Sequence, residues 1–172
     1  VTGAVNKMKN VIDKFSSPAK GFEVRKRAVQ ADVPVNEVIK NTKINEMEKI
    51  SFDFHDRDDI VIESDAGMIE RILTNLIINA VEALNGEGKI TVDIDIADNG
   101  IIYRVKDTGP GMSNDFIENK LFKPFASTKK KGLGIGLYQC REMAHALNGE
   151  LSVESEIGKG TVFSLILNDC IV

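Results

Sequence analysis

The sequence has 172 residues, of which 42% are hydrophobic and 28% charged, the composition of one globular domain with a sizeable core. Its net charge of −4 gives no general attraction for nucleic acid or an anionic membrane, and no apolar run approaches the roughly 20 residues of a membrane helix. Its two cysteines, Cys140 and Cys170, are too few for a disulfide framework or a zinc site. We therefore expect a cytoplasmic domain that contacts neither nucleic acid nor membrane.

The first 17 residues predict a helix. Apolar residues recur there at helical spacing, and Ser16-Ser17-Pro18 ends the pattern; the apolar residues are Val5, Met8, Val11, Ile12 and Phe15. Two interpretations are open: the end of an upstream helical or coiled-coil element, or a simple N-terminal helix packed on the core. Because the chain begins at Val1 without methionine, we expect it to be part of a longer protein, for which a membrane anchor stays open.

From residue 22 onward the pattern predicts an α/β arrangement. Pro34 opens a helix that carries Val38 and Ile39 on one side, and Asp65 caps a longer one. That longer helix ends at the turn 85–88. The predicted strands cover 22–31, 50–54, 60–62, 89–97, 101–106, 150–155 and 160–167, and a last helix covers 134–147.

Two amides interrupt the apolar pattern of the long helix. Asn75 and Asn79 are four residues apart and therefore lie on one helix face. A buried amide without a partner costs on the order of 1–3 kcal/mol, so something polar should meet them. One interpretation is a Mg²⁺ site, because this ion takes oxygen ligands. The alternative is a pair of core amides bonded to the backbone.

An acidic side chain follows the strand 101–106. Asp107 precedes a turn in which Gly109 and Gly111 let the backbone approach a flat ligand. A buried carboxylate there could accept a hydrogen bond from an exocyclic amine and so select adenine. The alternative is a plain turn without a ligand.

The stretch 107–133 shows little regular periodicity, and its length indicates a functional lid or a disordered segment. Its end carries Lys129, Lys130 and Lys131, followed by a glycine run at the start of the last helix, where free backbone N–H groups and the helix dipole suit phosphates. No strand precedes these glycines as in a Rossmann loop, and no Gly-Lys-Ser/Thr forms a Walker loop.

Five motifs in this order resemble the GHKL, or Bergerat-fold, ATP-binding superfamily, and within it the catalytic domains of bacterial two-component histidine kinases. The resemblance covers about residues 30–168. The motifs are Arg71-x-x-x-Asn75-Leu76-x-x-Asn79-Ala80 (N box), Asp107-x-Gly109-x-Gly111-Met112 (G1 box), Leu121-Phe122-x-Pro124-Phe125 (F box), Gly132-x-Gly134-x-Gly136-Leu137 (G2 box) and Gly158-x-Gly160-Thr161-x-Phe163 (G3 motif).

The resemblance implies a two-layer α/β (α+β) sandwich, with a mixed, mostly antiparallel sheet and helices on one face. It divides the chain into a tail of an upstream dimerisation and phosphotransfer helix, residues 1–17, and an ATP-binding catalytic domain, residues 18–172. It further implies binding of ATP, ADP and Mg²⁺, and transfer of the γ-phosphoryl group to a histidine of that upstream domain. A homodimeric parent and a response regulator are the implied partners.

The resemblance also assigns site residues. Asn79 would coordinate Mg²⁺ with support from Asn75, Asp107 and Thr161 would bind the adenine end, and Lys129 would reach the terminal phosphates. Asn75, Asn79 and Lys129 would be the catalytic residues, and residues 112–133 the ATP lid. The other implied nucleotide contacts are Gly109, Gly111, Met112, Phe122, Gly132, Leu133, Gly134, Ile135, Gly136 and Leu137.

Two departures from the superfamily pattern bear on mechanism. Asn75 stands where the superfamily ATPases carry a glutamate base, and an amide cannot accept a proton, so weak or no hydrolysis is expected. Glu82 stands where many histidine kinases have a basic residue. His55 and His145 lack the surroundings of a phosphoacceptor, so the acceptor is expected on another domain.

Two other functions are compatible with these motifs: an anti-sigma-factor-like serine kinase, and a non-catalytic nucleotide-sensing module. Within the histidine kinases, the F-box spacing and the segment 139–142 most resemble the nitrogen-regulator type and the kinase of the PEP-CTERM system.

Overall fold

The computed structural model describes residues 21–57, 59–125 and 134–172. The helices are α1 (Val33–Thr42), α2 (Ala66–Leu84), α3 (Asn114–Asn119) and α4 (Gly136–Ala146), with a 3-10 turn at Ile44–Glu46. The strands are β1 (Arg27–Gln30), β2 (Ile50–His55), β3 (Val61–Ser64), β4 (Gly88–Ala97), β5 (Gly100–Asp107), β6 (Gly149–Glu156) and β7 (Gly160–Leu167). The helix expected at 4–15 and the domain boundary after residue 17 lie outside the described residues.

Five strands form a mixed sheet in the order β2-β4-β5-β7-β6. The pair β2 and β4 is parallel and the other pairs are antiparallel, and α2 and α4 pack against the sheet. The two-layer sandwich expected from the motifs is therefore confirmed. The strands predicted at 22–31 and 60–62 do not join this sheet: β1 and β3 form a separate antiparallel pair.

The long helix α2 begins and ends as its sequence predicts. The Asp65 carboxylate accepts a hydrogen bond from the Met68 N–H at the first turn, and Asn85 ends the helix in the left-handed conformation. Its apolar side chains are buried against the sheet and form the centre of the core: Ile69, Ile72, Leu73, Leu76, Ile77, Ala80 and Leu84. Burial of each isoleucine or leucine in this set stabilises the fold by roughly 1.5–3 kcal/mol.

The structure also differs from the prediction in two places. Regular strand geometry in 22–31 is limited to Arg27–Gln30. The irregular stretch after residue 107 contains helix α3, which Ser113 caps by accepting a hydrogen bond from the Phe116 N–H. Six residues are too few to show helical periodicity, which explains the miss. Within the described ranges, no helix is both long and apolar enough to cross a bilayer.

Candidate functional site

One cluster of polar side chains lies in a row across three strands of the main sheet. Asp107 on β5 is directly opposite Thr161 on β7, and Thr161 is directly opposite Ser155 on β6. All three follow the alternation that points the apolar residues of these strands at the helices. We name Asp107, Thr161 and Ser155 the sheet cluster. It places polar groups at the end of an otherwise apolar face.

Asp107 is an acidic side chain in a buried position, with 4% of its surface exposed. One carboxylate oxygen accepts a hydrogen bond from the Gly109 N–H at 2.8 Å. Burial raises the pKa of Asp107, while hydrogen bonds from the backbone N–H groups of Gly109 and Thr161 partly oppose the rise. An ionised carboxylate with so little water around it favours a ligand that donates hydrogen bonds.

The turn after Asp107 rests against the β6–β7 hairpin. The Pro110 carbonyl accepts a hydrogen bond from the Gly158 N–H at 2.7 Å, and Ser155 Oγ accepts one from the Met112 N–H at 2.9 Å. A Cβ on Gly111 would lie 2.0 Å from the Glu156 carbonyl oxygen, and Gly111 has a φ of +71°. The chain can lie this close only because residue 111 is glycine.

A second cluster lies between α2 and α4. Asn79 Nδ2 donates a hydrogen bond to Asn75 Oδ1 at 3.0 Å, so the two amides are bonded to each other. Gly136 begins α4 so close to them that a Cβ there would lie 2.6 Å from Asn75 Nδ2. We name Asn75, Asn79 and Gly136 the helix cluster. It joins the long helix to the N-terminus of α4, where the positive end of the helix dipole lies.

Helix α2 connects the two clusters. A Cβ on Gly109 would lie 3.3 Å from the Ala83 Cβ, which brings the turn after Asp107 against the last turn of α2. Asn79 and Asn75 precede Ala83 by four and eight residues, which places them about 6 and 12 Å further along the helix axis. The two clusters therefore lie along one helix at a spacing of one to two helical turns.

A groove of about 240 Å³ opens beside the helix cluster, lined by Glu70, Arg71, Thr74, Asn75, Ile78, Gly136, Gln139 and Met143. It includes neither Asp107 nor Thr161 and is smaller than the roughly 300–1,000 Å³ typical of pockets for drug-sized ligands. The groove therefore adjoins only one end of the predicted site.

The oxygen atoms near the helix cluster suit a cation that takes few ligands from the protein and the rest from phosphates and water. Among the described residues, no group of three or more His, Cys, Asp and Glu side chains could hold a metal by itself. With the Asn79 amide nitrogen bonded to Asn75, the carbonyl oxygen is the atom of that amide suited to a hard cation. Mg²⁺ commonly takes few protein oxygens and completes its shell with phosphates and water.

The remaining predicted site residues fall into two groups. Gly134, Ile135 and Leu137 lie at the start of α4, where Ile135 is the N-cap residue and Leu137 packs against the core. Phe122 packs against the core as well. Lys129, Gly132 and Leu133 lie outside the described residues.

Two side chains that the sequence analysis did not select contact predicted site residues. Ser155 bonds to the backbone of Met112, and the Arg141 guanidinium lies over the Phe122 ring, 5.3 Å from its centre. Ser155 precedes Thr161 by six residues across a hairpin, so its pairing with Thr161 follows once the turn at 157–159 is recognised. No sequence signal marks the contact between Arg141 and Phe122.

The two histidines lie away from both clusters. His55 Nδ1 is 2.5 Å from an Asp93 carboxylate oxygen on the outer face of the sheet, and most of its side chain is exposed. His145 is exposed in the last turn of α4. Both are placed as solvated surface residues.

Comparisons with known proteins agree with the motifs. Residues 64–170 match the family of histidine kinase-, DNA gyrase B- and HSP90-like ATPases. The chain is 36% identical over 118 residues to sporulation kinase C of Bacillus subtilis (strain 168), a match covering 69% of this chain and 27% of that protein. It is 40% identical over 111 residues to the C4-dicarboxylate transport sensor protein DctS of Rhodobacter capsulatus, covering 62% and 17%. The chain thus spans about a quarter or less of these relatives.

Solved structures give the same result. The nucleotide-free catalytic domain of the histidine kinase ThkA matches with a TM-score of 0.74 and 29% identity, covering 83% of this chain and 95% of that one. Full-length ShkA in complex with AMPPNP matches with a TM-score of 0.77 over 98% of this chain and 36% of that one. Its 22% identity supports a likeness of fold.

Proposed function

The chain belongs to the family of histidine kinase-, DNA gyrase B- and HSP90-like ATPases and is an ATP-binding catalytic domain of the sensor histidine kinase type; from this premise we propose how it acts. The chain binds Mg·ATP along α2, with the base at the sheet cluster and the phosphates at the helix cluster. It then passes the γ-phosphoryl group to a histidine on an upstream dimerisation and phosphotransfer domain.

The spacing of the two clusters along α2 is the observation that carries this proposal. A ligand with an amine-bearing ring at one end and phosphates at the other suits a buried carboxylate at Asp107 and paired amides about 6–12 Å further along the helix. Asp107 accepts the hydrogen bond of the adenine amine, and Thr161 assists it. The glycine-lined start of α4 faces the phosphates.

At the phosphate end, Asn79 would hold Mg²⁺ through its amide oxygen, and the hydrogen bond to Asn75 orients that amide. Bound Mg²⁺ would neutralise charge that builds up on the phosphates during transfer. Lys129 reaches the terminal phosphates, and residues 112–133 close over the nucleotide as a lid. The protein contributes positioning and charge neutralisation, the usual means of catalysing phosphoryl transfer.

The chemistry of residue 75 favours transfer over hydrolysis. A water molecule that attacks a phosphate needs a group to take its proton, and an amide cannot serve as that group. In this chain Asn75 accepts a hydrogen bond from Asn79 and contacts the first residue of α4. The isolated chain therefore holds ATP with weak or no hydrolysis and needs the histidine of another domain as nucleophile.

The parent protein supplies the other components. We propose that it is a homodimer whose phosphorylated histidine passes its phosphoryl group to a response regulator. We further propose that this domain works in the cytoplasm, where ATP is available. The relatives include a sporulation kinase, a transport sensor protein and a signal transduction histidine-protein kinase, and they do not resolve a subfamily. We propose the nitrogen-regulator-like or PEP-CTERM type from the spacing of the F box and the segment 139–142.

The test uses the longest available form of the parent and the isolated chain, each incubated with Mg²⁺ and ATP labelled at the γ-phosphate. We expect acid-labile phosphohistidine on the parent and little phosphate release from the chain alone. Phosphoserine on a separate protein would instead indicate an anti-sigma-factor-like kinase. Binding of Mg·ATP by the parent without any labelling of its histidine would indicate a nucleotide sensor.

A further inference from the structure

Ser155 lies at the centre of a hydrogen-bond network that links three segments of the site. Its hydroxyl donates to the Gly160 carbonyl oxygen at 2.9 Å and accepts from the Met112 N–H at 2.9 Å. Its Oγ also lies 2.8 Å from Thr161 Oγ1. None of the five sequence motifs includes this serine.

The proton count of this network fixes the direction of the contact between the two hydroxyls. A serine hydroxyl has one proton and two acceptor lone pairs. The proton of Ser155 goes to a carbonyl oxygen, which can only accept, so Ser155 has no proton left for Thr161. Thr161 must therefore donate its own proton to Ser155, whose two lone pairs are then used by Thr161 and Met112.

The consequence falls on the face that the cluster offers to a ligand. With its proton committed to Ser155, Thr161 can only accept further hydrogen bonds. Its neighbour on the adjacent strand is Asp107. When the Asp107 carboxylate is ionised it has no proton to donate, so it too can only accept hydrogen bonds. Both side chains then favour a ligand edge that donates hydrogen bonds.

We propose that Ser155 is a positioning residue for base selection. By accepting the hydrogen bond of the Thr161 hydroxyl, it makes the site prefer a purine with an amine at C6 over one with an oxygen there. This inference rests on the proposed function, because it assumes that the base binds at the sheet cluster. An amine donates to these acceptors, whereas an oxygen would face acceptors on both side chains. Such mismatches leave buried polar groups unpaired and are strongly disfavoured.

A purely structural role makes a different prediction. Ser155 also ties the turn after Asp107 to β6 through Met112, so its loss would loosen the site for any nucleotide. That role would lower the affinity for adenine and oxopurine nucleotides by the same factor. The ratio of the two affinities separates the alternatives.

The experiment measures the dissociation constants of ATP and ITP, which carry an amine and an oxygen at C6, for the wild type and for Ser155→Ala. The matched control is Ser152→Ala, on the same strand and in the alternation that faces away from the helices. We expect the preference for ATP to fall about tenfold in Ser155→Ala, the equivalent of one hydrogen bond. Ser155→Thr, which keeps the hydroxyl, should retain the wild-type preference, as should the control.

A second background tests whether Ser155 acts through Thr161. In Thr161→Val there is no hydroxyl to orient, so adding Ser155→Ala should leave the ATP to ITP ratio unchanged. If Ser155→Ala does not fold, as judged by its thermal melt, Ser155→Cys replaces it; its thiol accepts hydrogen bonds only weakly, so a smaller fall in the preference for ATP is expected.

Three results would overturn the inference. Equal loss of ATP and ITP affinity in the serine variant would make Ser155 a structural tie only. A wild type that binds ATP and ITP alike would leave no selection to explain. If the wild type did not bind ATP, the proposed function itself would be refuted. The wild-type titration comes first, so this result is distinguished from the other two.

Discussion

The sheet cluster and the helix cluster are built in different ways. Asp107 and Thr161 are almost fully buried, and neighbouring strands hold them in register with hydrogen bonds from the backbone around them. The helix cluster is only partly buried, and its contacts include a hydrogen bond between two amides and a close approach by Gly136. The sheet cluster is thus organised by the fold itself, whereas we expect the helix cluster, the proposed phosphate end, to depend on Mg²⁺ and the lid. Adenosine and ATP separate the two ends experimentally.

The largest effect should come from the backbone that supports the sheet cluster. Gly111→Ala would place a Cβ against the Glu156 carbonyl at a positive φ, so we expect loss of adenosine and ATP binding and a free energy of unfolding lower by more than about 2 kcal/mol. Calorimetry and thermal melts measure both. Gly158→Ala is the control, since its φ is +82° but an added Cβ would meet no other part of the described chain within 4 Å, and it should cost only about 1 kcal/mol. Equal effects of the two changes would show that the close approach is unimportant.

Removing the charge of the sheet cluster should lower the affinity for adenosine and ATP without lowering the stability of the fold. Asp107→Asn should reduce adenosine and ATP affinity by roughly 10–100-fold, on the order of 1–3 kcal/mol. Because burial raises the pKa of Asp107, the folded state binds this proton more tightly than the unfolded state, so ionisation costs stability as the pH rises through the raised pKa. The variant should therefore be at least as stable as the wild type at neutral pH.

The same shift predicts a pH dependence. As the pH falls through the raised pKa of Asp107, the wild type should lose adenosine affinity, because a protonated carboxyl is a poorer acceptor. Asp107→Asn should show no such loss over that range. Asp93→Asn, on the outer face of the sheet, is the matched control and should bind like the wild type. If Asp107→Asn retained the wild-type affinity for adenosine, Asp107 would have no role in binding the base.

A smaller and more selective effect is expected at the helix cluster. Asn79→Ala should lower ATP affinity about tenfold in Mg²⁺ and leave adenosine affinity unchanged, because only the phosphates share the cation. Titrations with ATP in Mg²⁺ and in EDTA measure the difference. The exposed Asn45 provides the control variant Asn45→Ala. If the variant lost the same factor with and without Mg²⁺, Asn79 would not be the metal ligand.

The smallest effect concerns the contact between Arg141 and Phe122. Arg141→Met should lower the free energy of unfolding by about 0.5–1 kcal/mol, since the cation over the ring is lost while the apolar stem is retained. Adenosine affinity should not change, because the contact lies outside the sheet cluster. Arg141→Lys keeps the positive charge and should recover part of the loss. A drop in adenosine affinity would link this contact to the base end.

All three residues of the helix cluster were predicted from the sequence, as were two of the three in the sheet cluster, Asp107 and Thr161. Asn75 and Asn79 were visible because two amides interrupt an apolar helix pattern, and Asp107 because it follows a strand and precedes glycines. Ser155 was not visible, since its role comes from pairing across a hairpin and a hydroxyl gives no periodic signal. Helix α3 and the separate pairing of β1 with β3 were missed, because short elements take their form from tertiary contacts.

The most direct test is a crystal structure of this chain with Mg²⁺ and a non-hydrolysable ATP analogue. The account predicts the adenine amine within hydrogen-bonding distance of the Asp107 carboxylate, the Thr161 hydroxyl beside the same edge, and the Asn79 amide oxygen on the metal. A nucleotide base lying instead in the groove formed by Glu70, Arg71 and Gln139, with Asp107 untouched, would contradict it.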